Sequence, residues 1–200
     1  MIQIKAGTKT VIKNSYFFGY GSLVNRESHK FAGAVPAQLG GWQRVWRHTN
    51  LRPVAYLTVV PDPEAVIDGL IAPVPDSDWP ALDLREAAYV RTPVAHQVRH
   101  TLPHMPEIAV YTIPEGHHAA PTQTHPILLS YLDVVVKGYM QEFGAEGVQR
   151  FFDTTHGWEA PILNDRAKPL YPRHQSLSAQ EHAETDQHLD RLGISPIAAP

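Results

Sequence analysis

Tyr16-Phe17-Phe18-Gly19-Tyr20-Gly21-Ser22-Leu23 is the stretch whose reading decides the fold. Three aromatic residues in a row predict a buried strand near the start of the domain. Gly19 and Gly21 then turn the strand into a tight loop, because two glycines in three positions permit positive φ and let a ligand approach the main chain. Asn25, Arg26 and Glu27 follow, as in a loop leading to a helical turn. A loop of this kind can aim backbone N–H groups at a carboxylate or an oxyanion. Taken alone, the same residues also fit an ordinary strand-turn.

Outward from this stretch the chain reads as short strands punctuated by Gly and Pro. Ala34–His48 has a strand core at Ala37-Gln38-Leu39, and Gly40-Gly41 inside it predicts a bulge or bend. Val54–Val60 is apolar on both faces and reads as a central strand, stopped by Pro61-Asp62-Pro63. Ala65–Val74, with Gly69 inside, reads as a separate strand. Asp76 or Ser77 would cap a short helix over Trp79–Leu84, with Pro80 in its first turn. Ala88–Val98 and Glu107–Ile113 return to strand, and Glu115–Thr124 is loop. After Pro126, residues Ile127, Leu128, Tyr131, Leu132, Val135, Tyr139 and Phe143 fall at helical spacing. Gly144 ends that helix, and a second short one follows over Ala145–Phe152. Ser178–Leu192 predicts a last polar helix with Ser178 and Glu181 as a capping box. Strands so short suggest a small barrel or a strongly twisted mixed sheet.

The composition narrows the function classes. The chain has 200 residues, 43% of them hydrophobic, enough for one full core. Residues 1–14 read as a polar, flexible leader without the apolar segment of a signal peptide. The remainder, 15–200, reads as one domain, with a loop-rich extension from about 153 that wraps it. A net charge of −3 without a dense basic face argues against a nucleic-acid partner. No apolar run reaches the ~20 residues of a membrane span. The absence of cysteine removes thiolate chemistry and suits a cytoplasmic setting. His96, His100 and His104 recur every four residues, but Pro93 and Pro103 argue against the helix that would turn them into a metal set. Ser22 lacks the Gly-x-Ser-x-Gly context of a hydrolase nucleophile. Gly19-x-Gly21 lacks the third glycine of a dinucleotide loop.

The second informative segment is Leu82-Asp83-Leu84-Arg85-Glu86-Ala87-Ala88-Tyr89. Glu86 stands at a helix-to-strand junction beside two alanines that leave room for a ligand. An apolar setting would raise the pKa of its carboxyl and make it a proton carrier near neutral pH. The alternative is that Asp83, Arg85 and Glu86 form a solvated charged end.

Together, the Phe18-Gly19-Tyr20-Gly21-Ser22-Leu23 loop and the Leu82-Asp83-x-Arg85-Glu86-x-x-Tyr89 segment about sixty residues later resemble the gamma-glutamylcyclotransferase superfamily. Leu39–Arg44, the strand holding Gly69 and the helix from Pro126 with Tyr131 are similar to the family as well. The likeness spans roughly Tyr16–Phe143. It implies an α+β fold, a small closed mixed β-barrel with flanking helices. It also implies a reaction in which the α-amine of a gamma-glutamyl group attacks its own side-chain carbonyl, releasing 5-oxoproline and a free amine or amino acid. The resemblance places the acid/base role on Glu86 and the substrate at Tyr20, Gly21, Ser22 and Leu23, with Tyr89 and Tyr131 as further substrate contacts. Relatives often carry Pro-Ser-x-x-Tyr here, whereas Pro126 and Tyr131 are one residue further apart. The chemistry requires no metal, nucleotide or redox cofactor. The expected partner is a small gamma-glutamyl compound, and no residue pattern sets an oligomeric state. The alternative is a binding module on the same fold without turnover. The late segment with Arg166, Tyr171 and Arg173 is expected to line or cover the pocket and to help choose the leaving group.

Overall fold

Ser15–Gly19 forms the first strand, β1, and every residue in it is buried. It is central: β1 pairs antiparallel with Ala55–Pro73, β3 (Phe18 opposite Ile71), and parallel with Glu107–Thr112, β6 (Phe18 opposite Val110). The computed structural model describes residues 15–199, so the leader expected over residues 1–14 lies outside the described residues. The other strands of this sheet are β2 (Val35–His48), β3 (Ala55–Pro73), β4 (Val90–Pro93), β5 (Val98–His100) and β6 (Glu107–Thr112). They lie in the order β4-β6-β1-β3-β2-β5. Two-residue β8 (Thr155–His156) joins β2, and β7 (Ile127–Leu128), β9 (Ile162–Asn164) and β10 (Ile197–Ala198) form a small parallel sheet.

The helices are α1 (Trp79–Arg85), α2 (Leu129–Asp153) and α3 (Ala179–Arg191). The fold is thus α+β, as expected, but the sheet is open rather than a closed barrel. β4 and β5 end it, and no ladder joins them among the described residues.

Several boundaries differ from the sequence expectations. Pro61 and Pro63 do not stop a strand, and β3 runs through them. Gly40 faces Val66 and Trp42 faces Pro61, so one residue, Gly41 at φ 80°, opposes four in β3. A bulge is where a residue without an N–H is tolerated, since the ladder is interrupted there. The helix α1 starts after Asp78, not Asp76 or Ser77, and Asp78 makes no side-chain cap. The strand expected over Ala88–Val98 shrinks to β4, because Glu86–Tyr89 is occupied by a turn in which the Tyr89 N–H donates to the Glu86 carbonyl at 2.8 Å. Gly144, at φ 66° and ψ −170°, breaks α2 into the two expected segments. The capping box at Ser178 and Glu181 is present.

Helix α2 covers the sheet with Leu132, Val135, Val136, Tyr139, Phe151 and Phe152, all buried. One charged side chain lies inside this core. Arg44 of β2, 1% exposed, donates through Nη1 to the Tyr139 hydroxyl at 2.7 Å and to the Asp68 carbonyl at 3.0 Å. Its Nε donates to Thr155 at 3.0 Å and its Nη2 to Thr154. The guanidinium also lies over the rings of Tyr139 and Phe151. Burial lowers the pKa of this group, while Tyr139 and the Asp68 carboxylate support its charge. The C-terminal part is tied back by Arg166, which bridges Asp133 of α2 at 2.8 Å and Asp186 of α3 at 2.9 Å.

Where β1 and β3 meet, a glycine is required by contact rather than by φ. A Cβ on Gly69 would stand 2.4 Å from the Gly19 carbonyl oxygen and 2.5 Å from the Phe18 ring. Gly69→Ala is expected to destabilise the protein by about 2–3 kcal/mol, as overpacking of a filled core does, measured as a loss of midpoint in denaturant unfolding; an unchanged midpoint would contradict this packing.

Candidate active site

The loop after β1 is a pair of 3-10 turns, Ser22–Val24 and Arg26–Ser28. Asn25, fully buried, holds them together. Its Oδ1 accepts the Glu27 N–H at 2.9 Å, and its Nδ2 donates to the Val134 carbonyl of α2 at 2.9 Å. Gly138 of α2 makes the close approach possible, since a Cβ there would lie 2.6 Å from the Asn25 nitrogen. The Tyr139 hydroxyl, held by Arg44, shares its one proton between two carbonyl acceptors, Asp68 at 2.7 Å and Tyr20 at 3.0 Å. The loop is therefore fixed from the helix side.

Glu86 arrives from the opposite side, at the C-cap of α1. Leu82 buries one face of this helix. Asp83 accepts the Tyr111 hydroxyl at 2.6 Å and pairs with Arg91 at 2.8 Å. Arg85 donates to the Ser28 carbonyl at 3.2 Å and through Nε to Glu86 at 2.9 Å. Its Nη2 is buried with no acceptor among the described residues.

These elements line a small, partly open cleft of about 40 Å³. All seven residues singled out from the sequence line it: Tyr20, Gly21, Ser22, Leu23, Glu86, Tyr89 and Tyr131. Leu57 and Tyr111 also line it and were missed, because within strand patterns they read only as core. A larger cleft, about 540 Å³, adjoins across Tyr89 between residues 48–51 and 113–119. It is lined by His48, His117 and His118 but by no carboxylate, whereas the smaller cleft holds Glu86.

Burial raises the Glu86 pKa, and Arg85 and then Arg173 oppose the rise. With its side chain 19% exposed, Glu86 is sheltered but reachable. Burial also raises the pKa of Tyr20, Tyr89 and Tyr131, so all three are neutral phenols. They are not equivalent. Tyr20 donates to the Tyr111 carbonyl at 2.7 Å, and Tyr89 donates to the Leu57 carbonyl at 3.0 Å. The Tyr131 oxygen instead faces the Ser22 backbone N–H as an acceptor, and no hydrogen bond recorded among the described residues uses its proton. Tyr171 sets its ring edge-on to Tyr131 with centroids 5.0 Å apart. Arg166 is not at the cleft, being held by Asp133 and Asp186.

The gamma-glutamyl cyclotransferase, AIG2-like family model matches residues 17–131, and the chain belongs to that family. A solved gamma-glutamyl cyclotransferase superposes with a TM-score of 0.55 at 14% identity, covering 87% of this chain and 99% of that one. An uncharacterized protein from Homo sapiens gives 0.55 at 15% identity, with the same coverage of 87% and 99%. YkqA from Bacillus subtilis gives 0.53 at 18% identity, over 68% of this chain and 52% of that one. Likeness at these identities establishes the shared fold. Comparison with curated proteins returned no match. Among the described residues no helix is long and apolar enough to cross a membrane, and no group of three or more His, Asp or Glu is placed to hold a metal ion.

A Cβ on Gly21 would stand 2.5 Å from the Tyr131 hydroxyl oxygen, while the ring Cζ behind it lies 3.8 Å away. Gly21→Ala should therefore cost about 1–3 kcal/mol of stability, and adding Tyr131→Phe should recover part of the loss. Strictly additive losses in a double-mutant cycle by thermal unfolding would show that the two groups do not meet.

Proposed function

We propose that this protein is a gamma-glutamylcyclotransferase-type enzyme, converting a gamma-glutamyl amine or amino acid to 5-oxoproline and the free amine. The observation that carries the reading is Glu86, a sheltered carboxyl with a raised pKa, in the same cleft as the Gly19–Leu23 loop. A group that only binds a ligand has no need of a proton carrier in that position.

Nucleophile and electrophile lie in one substrate, so the cleft mainly has to hold the glutamyl chain in its ring-closing geometry. The glutamyl end lies along Gly21, Ser22 and Leu23, with Tyr20 and Tyr89 as walls. Glu86 takes a proton from the α-ammonium, and the freed amine attacks the side-chain carbonyl carbon. Negative charge then builds on the carbonyl oxygen. The Tyr131 hydroxyl, whose proton is uncommitted, is the donor we assign to it. When the intermediate collapses, the bond to the leaving nitrogen breaks as Glu86 returns its proton to that nitrogen, and Glu86 then takes the second proton from the ring nitrogen, which leaves a neutral lactam. One new C–N bond replaces another and no water is consumed, which makes the step an intramolecular aminoacyl transfer, or equivalently a lyase reaction releasing 5-oxoproline. None of these steps calls for a cofactor. The chain from residue 15 works as one unit, with the segment after about 153 wrapped around it, in a cytoplasmic setting and without membrane or nucleic-acid partners.

The test is 5-oxoproline release from a panel of gamma-glutamyl compounds by the wild type, Glu86→Gln and Ser22→Ala. Glu86→Gln is expected to lose ~10²–10⁴-fold in kcat, the usual worth of a positioned proton carrier. Ser22→Ala should lose far less, since the loop acts through its main chain. The reverse order would reject the assignment, and an inactive wild type would leave a binding module.

The pH profile supplies a second check. Glu86 has to be ionised to accept the first proton, so kcat/KM should rise with pH. The rise should lie above 4.5, the ordinary glutamate value, because burial raises this carboxyl. An acid limb at or below 4.5 would contradict the environment ascribed to Glu86.

A further inference from the structure

The turn Tyr171–His174, closed by the His174 N–H donating to the Tyr171 carbonyl at 3.1 Å, is held in place from three directions. Before it, the Asp165 carboxylate accepts the Leu170 N–H at 2.8 Å and is itself bound to Ser130 at the start of α2. At its first residue, Tyr171 packs edge-on against Tyr131 of the cleft. After it, Gln175 exchanges two amide hydrogen bonds with Asn25, at 3.1 and 3.2 Å. The anchors thus sit on the substrate loop and on a cleft tyrosine. Arg173 lies within this turn, exposed, and no ion pair recorded among the described residues uses it. Arg26, Arg85, Arg91, Arg150, Arg166 and Arg191, by contrast, each have a carboxylate within 3.0 Å. Arg173 also lies beyond residues 17–131, which the family model matches. It nevertheless acts on Glu86, lowering the pKa of that carboxyl from outside contact distance.

A cation held near an ionised glutamate, with no structural partner of its own, is suited to an anion that arrives with the substrate. The glutamyl end closes into a compact ring and occupies the enclosed part of the cleft. The leaving nitrogen has to reach Glu86, and the group attached to it extends from the cleft toward solvent; the contact of Tyr171 with Tyr131 brings the turn that carries Arg173 to the edge of the cleft. A carboxylate there would be repelled by Glu86 unless a cation offset it.

We propose that Arg173 is a specificity-determining residue that binds a carboxylate on the leaving group. The preferred substrates are then gamma-glutamyl amino acids or short peptides, over gamma-glutamyl derivatives of neutral or cationic amines. The inference rests on the glutamyl reading of the cleft.

The test compares gamma-glutamyl-alanine with gamma-glutamyl-ethylamide, which differ by one carboxylate. Binding is measured by calorimetry on Glu86→Gln and on Glu86→Gln/Arg173→Ala, and kcat/KM on wild type, Arg173→Ala and Arg173→Lys. The alanine compound should be favoured about tenfold, the scale of one charge-assisted contact open to solvent. The preference should collapse in Arg173→Ala, return in part in Arg173→Lys, shrink at high salt and lie in KM rather than kcat. A change in the acid/base power of Glu86 acts on both compounds and cancels in their kcat/KM ratio, and the binding comparison in the Glu86→Gln background removes its charge as well. An unchanged ratio in Arg173→Ala, whether both compounds weaken or neither does, would overturn the proposal, as would failure of both to bind. An Arg173-dependent binding preference without turnover by the wild type would support the role of Arg173 while rejecting the cyclotransferase reaction.

Discussion

The buried guanidinium of Arg44 is the constraint on which the other parts depend. A charge taken out of water is strongly unfavourable unless its donors are satisfied. Arg44 meets that demand only if three other pieces of chain come to it: the Asp68 carbonyl of β3, Tyr139 of α2, and Thr154 and Thr155 just after α2. Satisfying the ion therefore sets where the helix crosses the sheet. The Asp68 side chain extends the network, accepting Gln38 of β2 at 2.9 Å and Arg150 of α2 at 2.7 Å. The consequence reaches the cleft through one atom, because the Tyr139 hydroxyl also contacts the Tyr20 carbonyl in the Gly19–Leu23 loop.

The cleft is accordingly assembled from two sides by different forces. The loop side is dictated by close packing. Gly138 admits the Asn25 backbone against α2, Gly21 admits the Tyr131 hydroxyl, and Gly69 lets β3 approach the Gly19 carbonyl. The Glu86 side is dictated by polar contacts that orient a seven-residue helix too short to be stable by itself. Asp83 is pulled by Tyr111 and Arg91, and Arg85 reaches across to Ser28. Holding the loop against a filled core and the carboxyl on a short helix end keeps both at a fixed separation without placing Glu86 in the core, where it could not ionise.

Much of this was legible in the residues. The aromatic run before Gly19 marked a buried central strand, and β1 is that strand. The Gly40-Gly41 pair marked a bulge, Gly144 marked a break in α2, and Ser178 with Glu181 marked a helix start. In each case the signal is local: a missing side chain, a glycine with positive φ, or a cap reaching three residues along the chain. Pro61 and Pro63 misled because a proline reports the N–H it lacks but not whether the partner strand asks for one there. Asn25 signalled only its local part, the cap on Glu27, and the packing roles of Arg44, Asn25 and Tyr111 carried no signal, since they are defined by partners between 24 and 150 residues away in the chain. Arg166 and Arg173 looked alike in sequence, yet the first joins two helices and the second has no ion pair among the described residues while its charge acts on Glu86.

By itself the sequence determined which residues could do chemistry and which segments could be strands, loops and helices, because side-chain type and φ preference are properties of single residues and near neighbours. It also supplied the Gly-Tyr-Gly-Ser loop and the Glu86 segment in an order that resembles one family. Tertiary structure alone decided that these segments, some sixty residues apart, share one cleft. It also decided that the sheet stays open, that Glu86 is sheltered enough for its pKa to rise, and that of the four cleft tyrosines only Tyr131 has no acceptor for its proton among the described residues. The reason is physical. Burial, hydrogen-bond partners and the field at a titrating group are sums over atoms that are neighbours only after the chain has folded.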